Sequence, residues 1–217
     1  IQQLHRISHQ ETVVLWVTLV GTLFDLEKGI FLGVALSLAL YLYRTSRPTL
    51  EAVVPDGEAD SYHYVAANNR PECPQIKMMR LNGSIFFGAV SHLQQQVQEL
   101  SEKSPKHKHL VLMASGINFI DLAGAEFLGE TAKHYASAGG SVGLYRMKEN
   151  VAASLRSGGF MDAIGEENLY PAKSRPAEAL FPHLDPAICA TCRIRVFRPC
   201  QKIGDQTMTI PEQAITE

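Results

Sequence analysis

The chain has 217 residues and a formal net charge of −2, from 20 Lys and Arg against 22 Asp and Glu, and 46% of it is hydrophobic. A balance this close to neutral, with no strongly basic patch, argues against nucleic acid as a partner and fits one soluble domain of ordinary size beside an apolar segment. Four cysteines in a chain read as facing the cytosol argue against a disulfide framework.

The apolar segment comes first. ETVVLWVTLVGTLFDLEKGIFLGVALSLALYLY (11–43) holds two apolar blocks, 12–24 and 29–43, with Asp25, Glu27 and Lys28 between them. A helix needs about 20 apolar residues to cross a bilayer core, so each block is somewhat short. A single span would carry three charges at its middle, which is costly. The expectation is a hairpin of two short transmembrane helices over 11–44, turning at Asp25–Lys28, after a lead-in at 1–10. Arg6, Arg44 and Arg47 flank the hairpin. Both its ends are therefore expected on the cytoplasmic side of the inner (plasma) membrane, with the rest of the chain. Gly29, Gly33 and Ser37 recur every four residues and line one face with small side chains. Such a face permits close helix contact, and docking against upstream membrane helices is the functional reading. The chain begins at Ile1 without an initiator Met, so it reads as the carboxy-terminal piece of a larger protein.

Residues 45–75 read as a linker, with Pro48, Pro55, Pro71 and Pro74 among acids and Asn, and a short strand at 62–66. IKMMRLNG (76–83) reads as a strand ended by Asn82-Gly83. SIFFGA (84–89) is a second apolar run, and the two are expected to pair as a hairpin. Val90, Leu93, Val97 and Leu100 recur at helical spacing, with Gln94, Gln95, Gln96 and Gln98 outside them. HLVLMAS (109–115) is a short, continuous apolar run and reads as a buried strand. Asp121 stands where a helix should begin, and its carboxylate suits an N-cap. Leu122, Ala125, Leu128 and Ala132 supply an inward stripe that Gly139-Gly140 stop. SVGLYRM (141–147) is the next strand, and Asn150 is expected to cap a helix over 151–157 that Gly158-Gly159 end. Strand and helix alternate with short links, which predicts an α/β domain over 76–186, a mixed, partly parallel sheet with helices.

The tail, 187–217, carries Cys189, Cys192 and Cys200 in a C-x2-C-x7-C run, with Cys73 back in the linker. A C-x2-C pair is a normal zinc half-site, and Cys73 or His183 could complete four ligands if the linker folds back. Against a metal, there is no second C-x2-C pair, and RIRVFR (193–198) reads as a short strand. Free thiols and redox pairing stay open beside zinc. Residues 202–217 read as a disordered end. No Ser/His/Asp or Cys/His arrangement and no glycine-rich phosphate loop stands out, so an enzyme is not expected.

The order of membrane hairpin, Arg-Thr-Ser-Arg-Pro and α/β domain resembles the carboxy-terminal third of a SulP-type anion transporter. RLNGSIFFGAV (80–90), HLVLMASGINFIDLAGAEFL (109–128) and SVGLYRM (141–147) resemble its STAS domain, named for sulfate transporters and anti-sigma factor antagonists. TLVGTLFDLEKGIFLGVALSLALYLYRTSRP resembles the family's last two membrane helices. The resemblance implies a secondary transporter of inorganic or small organic anions, with sulfate as the default. It also implies about twelve further membrane segments before Ile1. The anion would sit between broken helices in that upstream region, so no substrate-binding residue is expected in this chain. In anti-sigma factor antagonists the loop equivalent to Asp121-Leu122-Ala123-Gly124 carries a phosphorylated Ser at the third position. Ala123 stands there instead, which removes that switch. The loop, with Glu126 one turn on, is then expected to be regulatory by docking a partner: a second subunit's domain, the transporter's own helices or a cytosolic protein. Two alternatives are a membrane-tethered interaction module without transport and a metal or redox sensor built on the tail cysteines.

Overall fold

The computed structural model describes residues 9–56, 62–103 and 106–201. The chain divides into two compact units between Arg47 and Pro48.

The first unit is a helical hairpin, α1 (His9–Phe24) and α2 (Leu26–Thr45). The turn is tighter than expected. Asp25 alone separates the helices, because its carboxylate accepts the backbone N–H of Glu27 (3.1 Å) and Lys28 (3.3 Å) and starts α2 at once. Glu27 and Lys28 thus lie in the first helical turn. A helix of 20 residues is about 30 Å long at 1.5 Å per residue, the thickness of a bilayer core. So α2 is long and apolar enough to cross a membrane, contrary to the expectation of two short helices, while the apolar part of α1, Thr12–Phe24, is shorter. The small-residue stripe also finds a different partner. A Cβ on Gly29 would stand 2.4 Å from the Thr22 nitrogen, and one on Gly33 would stand 2.5 Å from Thr18 Oγ1. Those glycines bring α2 against α1 within the chain, and Ser37 is exposed. The large apolar side chains point away from this contact, among them Leu23, Phe24, Phe31 and Val34.

The second unit is built on one six-stranded sheet. Its strands are β1 (Thr49–Pro55), β2 (Tyr64–Ala66), β3 (Ile76–Asn82), β4 (His109–Gly116), β5 (Ser141–Tyr145) and β6 (Leu169–Tyr170), in the order β2-β1-β3-β4-β5-β6. β3 through β6 run parallel, and β1 is antiparallel to both β2 and β3. Two expectations are corrected here. The span 45–75 supplies, beside the expected short strand (β2), the unexpected strand β1, and so is part of the sheet and not merely a link. The runs 76–83 and 84–89 do not pair: β3 lies beside β1 and β4, and the second run leads into helix α3 (Phe87–Lys103). Gly83, at φ +131°, makes that redirection possible where a side chain would be strained.

Alternation along β4 sorts its side chains onto two faces, as the period of a strand requires. Leu110, Leu112 and Ala114 join Leu81, Leu93, Phe127, Leu128, Leu144 and Leu155 in one apolar cluster. That face is covered by α3, α4 (Leu122–Ser137), α5 (Glu149–Ser157) and α6 (Met161–Ile164). Val111 and Met113 join Ile76, Met78, Tyr145 and Tyr170 in a second cluster. Its cover comes from the end of the chain: α7 (Pro176–Leu180), α8 (Pro186–Thr191) and Phe197. The tail therefore belongs to the domain as far as its described residues run. Residues 193–198 form no strand, contrary to the reading of RIRVFR: Arg195 sits in the left-handed region at φ +44°, which breaks an extended run, and Phe197 packs into the second cluster. α5 begins one residue before Asn150, which bonds the Asn118 carbonyl (3.1 Å) and caps nothing. Residues 202–217, expected as a disordered end, lie outside the described residues.

Candidate functional site: the Asp121 loop

β3 and β4 each end in a short irregular run before the next helix. Beyond the strands the two runs touch once more, at the parallel bridge between Ile85 and Ile120. The Ile85 N–H donates to the Phe119 carbonyl (3.1 Å) and the Asp121 N–H to the Ile85 carbonyl (3.2 Å). This brings the first turns of α3 and α4 side by side. The Asp121 carboxylate serves both. Its Oδ1 accepts the Gly124 N–H of α4 (2.9 Å), and its Oδ2 accepts the Phe87 N–H that opens α3 (2.9 Å). Two orphan donors from two helix ends are satisfied by one side chain, a placement that the helix dipoles also favour. The cap was legible in the sequence, and its second bond was not.

Gly124 is buried, and a Cβ there would stand 2.4 Å from the Ile85 carbonyl oxygen. Only glycine lets the two backbones approach so closely. Leu122 and Glu126 are exposed and Ala123 is half-buried. Phe87 (76% exposed) and Phe119 (56%) flank the same hydrogen bonds, and Leu122 is 67% exposed. These two aromatics are site residues that the sequence reading missed. Their signal was present: each is a large apolar residue directly beside the irregular run that leads into a helix. The loop thus combines a rigid backbone with apolar side chains held in water, a surface that suits contact with another macromolecule.

The tail cysteines present a separate arrangement. Cys73 is buried and Cys189, Cys192 and Cys200 are half-buried, all as free thiols. Gln75, 2% exposed, ties the two segments together. Its Nε2 donates to the Asp185 carbonyl (3.1 Å) and to Cys189 Sγ (3.3 Å), and its Oε1 accepts the Asp185 N–H (2.8 Å). His183, the other expected fourth ligand, lines a cavity instead, together with His109, Ser141, Asp162 and Asn168. Among the described residues, no group of three or more His, Cys, Asp and Glu stands in metal-holding geometry.

The STAS domain profile matches residues 65–175. The chain belongs to the STAS domain family. Curated relatives extend the match. The protein of Bacillus subtilis (strain 168) named, by inference, sulfate transporter YvdB is 24% identical over 166 residues, 76% of this chain and 29% of its own length. Sulfate transporter 4.2 of Arabidopsis thaliana, likewise named by inference, is 22% identical over 181 residues, 76% of this chain and 26% of its own. The chain therefore spans less than a third of these relatives. Among solved structures, the murine Solute Carrier 26 family member A9 anion transporter in its inward-facing state superposes with a TM-score of 0.71 at 22% identity. That match covers 83% of this chain and 30% of the transporter. A second structure, of SLC26A9, gives 0.70 at 19% identity over 96% and 33%. The fold of this chain is thus the fold found in these transporters.

Proposed function

We propose that the chain is the carboxy-terminal part of a secondary anion transporter, with sulfate as the first candidate substrate, and that its STAS domain regulates transport through the Asp121 loop. In this reading α1 and α2 are membrane-embedded with both ends cytoplasmic, and the domain is cytoplasmic and non-enzymatic. Support for the membrane part is the outward apolar surface of the hairpin together with Arg44 and Arg47 at its end. Support for the transport part is the likeness to sulfate transporters over three quarters of the chain.

The observation that carries the regulatory part is the loop itself. One carboxylate fixes two helix ends, Ala123 offers no hydroxyl for phosphorylation, and Leu122, Phe119 and Phe87 are left in water. Such a surface works by contact, and a protein surface is its fitting partner. The candidates are a second copy of the domain, the transporter's membrane helices and a cytosolic protein. The test is transport by the full-length protein in vesicles, with Leu122→Asp and Glu126→Lys, two exposed positions whose exchange leaves the fold intact. Altered transport rate or lost partner binding, with an unchanged domain melt, is the expected result. Unchanged transport and binding would reduce Asp121 to a structural cap.

A further inference from the structure

The cavity that His109 and His183 line lies at the end of the sheet away from the Asp121 loop. His109 and Ser141 open β4 and β5, whereas Asp121 follows the far end of β4. The cavity measures about 550 Å³, within the range of roughly 300–1,000 Å³ found for small-molecule sites. Ala132 and Ala136 of α4 and Leu180 of α7 give it an apolar wall, which suits an apolar ligand body. Its polar groups are of two kinds, and together they specify what that body must carry.

The first kind is negative. Asp162 and Glu167 both line the cavity, and among the described residues neither is in an ion pair. The nearby Arg156 is taken by Glu149 and Glu166. Glu167 folds its carboxylate back over Gly165, into the space a Cβ would fill, and Gly165 is itself part of the wall. The carbonyl end of α4 reaches the cavity at Ala136 and Gly139 and adds its dipole in the same sense. No Lys or Arg lines the cavity, and Lys108, next to His109, is exposed outside it. Such a wall attracts a cation and repels an anion. The second kind is His109, 4% exposed. Its Nδ1 shares a hydrogen bond with Ser141 Oγ (2.9 Å), while its buried Nε2 has no partner of ordinary hydrogen-bond geometry. The His183 backbone is near enough to favour a proton on the ring but closes no such bond. A buried nitrogen left unpaired is costly, and a ligand group that pairs it recovers that cost. A hydroxyl both donates and accepts, so it pairs with Nε2 in either tautomer.

We propose that this cavity is a binding site for a small organic cation, an amine that also carries a hydroxyl group. The ammonium lies on Asp162 and Glu167, the hydroxyl on His109 Nε2, and the apolar body between them against α4 and α7. Asn168 supports the ammonium: its Nδ2 is spent on the Ile164 carbonyl (2.7 Å), which leaves its amide oxygen to accept. The site rests neither on the identity of a transported anion nor on the Asp121 loop, and its negative wall makes sulfate the wrong ligand for it.

The test is isothermal titration calorimetry of the whole chain in an uncharged detergent with ethanolamine, 5-amino-1-pentanol and tyramine, whose bodies are short, flexible and ring-bearing. At least one should bind saturably and one to one. Its analogue without the hydroxyl should bind roughly tenfold more weakly, the worth of one hydrogen bond, and its analogue with a carboxylate in place of the amine should not bind. Asp162→Asn with Glu167→Gln, at exposed positions that keep their shape, should weaken the amine by roughly tenfold or more while the domain melt stays unchanged. His109→Leu should erase the advantage of the hydroxyl; if that buried exchange prevents folding, the analogue pairs and the carboxamide variant carry the test. Failure of all three amines to bind, equal binding without the hydroxyl, unchanged affinity in the carboxamide variant, or displacement of the amine by sulfate would each overturn the proposal.

Discussion

The two units use the same kinds of residue in opposite ways. In the hairpin, Phe31 is 69% exposed and Val34 63%; in the domain, Leu128 is 1% exposed and Leu144 is fully buried. Apolar surface stabilises a fold by roughly 25 cal/mol per Å² only when it leaves water. The domain removes its own, on both faces of one sheet, and so carries its own stability. The hairpin removes only the narrow strip where Gly29 and Gly33 meet α1, so most of its apolar surface waits on surroundings outside this chain, lipid or other helices. One unit is self-sufficient and the other is half of a contact.

The sharpest way to break that comparison is to cut the chain. Residues 48–201 should give one cooperative melt without the hairpin, because both sheet faces keep their cover. The shorter piece 76–186 should not. It lacks β1, which pairs with β3 from Thr49↔Asn82 to Ala52↔Met79, and it lacks Phe197 from the second cluster. Circular dichroism against temperature distinguishes them, and equal cooperativity of the two pieces would refute the self-sufficiency argued here.

Paired glycine substitutions come next in size. A Cβ on Gly140 would stand 1.6 Å from the Lys108 carbonyl oxygen at the entry to β5. Gly140→Val should cost about 4 kcal/mol or more, since neither backbone can give. Gly29→Leu should leave the domain's melt unchanged within about 0.5 kcal/mol, as expected of independent units. It should expose the α1–α2 hairpin to protease in detergent. A domain melt that follows Gly29→Leu downward would show the units to be coupled.

The sequence carried more of the domain's centre than of its edges, for a physical reason. β4 and β5 are buried on both faces, so they read as unbroken apolar runs. β1, TLEAVVP, lies near the sheet edge between Pro48 and Pro55 with a polar Glu51, and it reads as a connector. Asn82-Gly83 is a sound turn signal, but a turn does not say whether a strand or a helix follows. Asp121 was legible as the cap of α4 through local spacing, whereas its bond to Phe87 spans 34 residues and depends on the parallel pairing of β3 and β4. The convergence of Cys73 with the tail is of the same kind. Of the small-residue stripe, Gly29 and Gly33 make a close contact and Ser37 is exposed, and the spacing alone could not name α1 as the partner.

The two Asp caps sharpen the comparison at a smaller scale. Asp25 serves only α2, through the Glu27 and Lys28 N–H groups, while Asp121 joins two helices. N-cap losses run about 0.5–2 kcal/mol. Asp121→Ala should fall near 2 kcal/mol in the domain's unfolding free energy, with Asp121→Asn intermediate because it keeps an accepting oxygen. Asp25→Ala should leave that unfolding unchanged. Denaturant titrations of the three variants check this, and an Asp121→Ala cost below about 0.5 kcal/mol would remove the two-helix role.

The smallest effect separates the units by pH. His109, 4% exposed at the start of β4, shares a hydrogen bond with Ser141 Oγ (2.9 Å). Burial, first among the causes, lowers its pKa in the folded domain; the His183 backbone bond opposes this, and the charges of His183 and Lys108 add to the lowering. Asp162 and Glu167 line the same cavity. Above the unfolded value of about 6.5 the imidazole is neutral in both states and has no pH-dependent effect on stability. Below it, the unfolded chain takes up the proton first, so the domain loses stability as pH falls from about 6.5 toward the lowered folded value. His109→Gln, which keeps a polar group beside Ser141, should flatten that part of the curve while leaving the melt near pH 8 little changed. The hairpin's single histidine, His9, is the first residue of α1, and none lies between Thr12 and Thr45 where the two helices meet, so the hairpin's resistance to protease should not move over the same range. An identical acid slope in the variant and the parent would assign the loss to other groups.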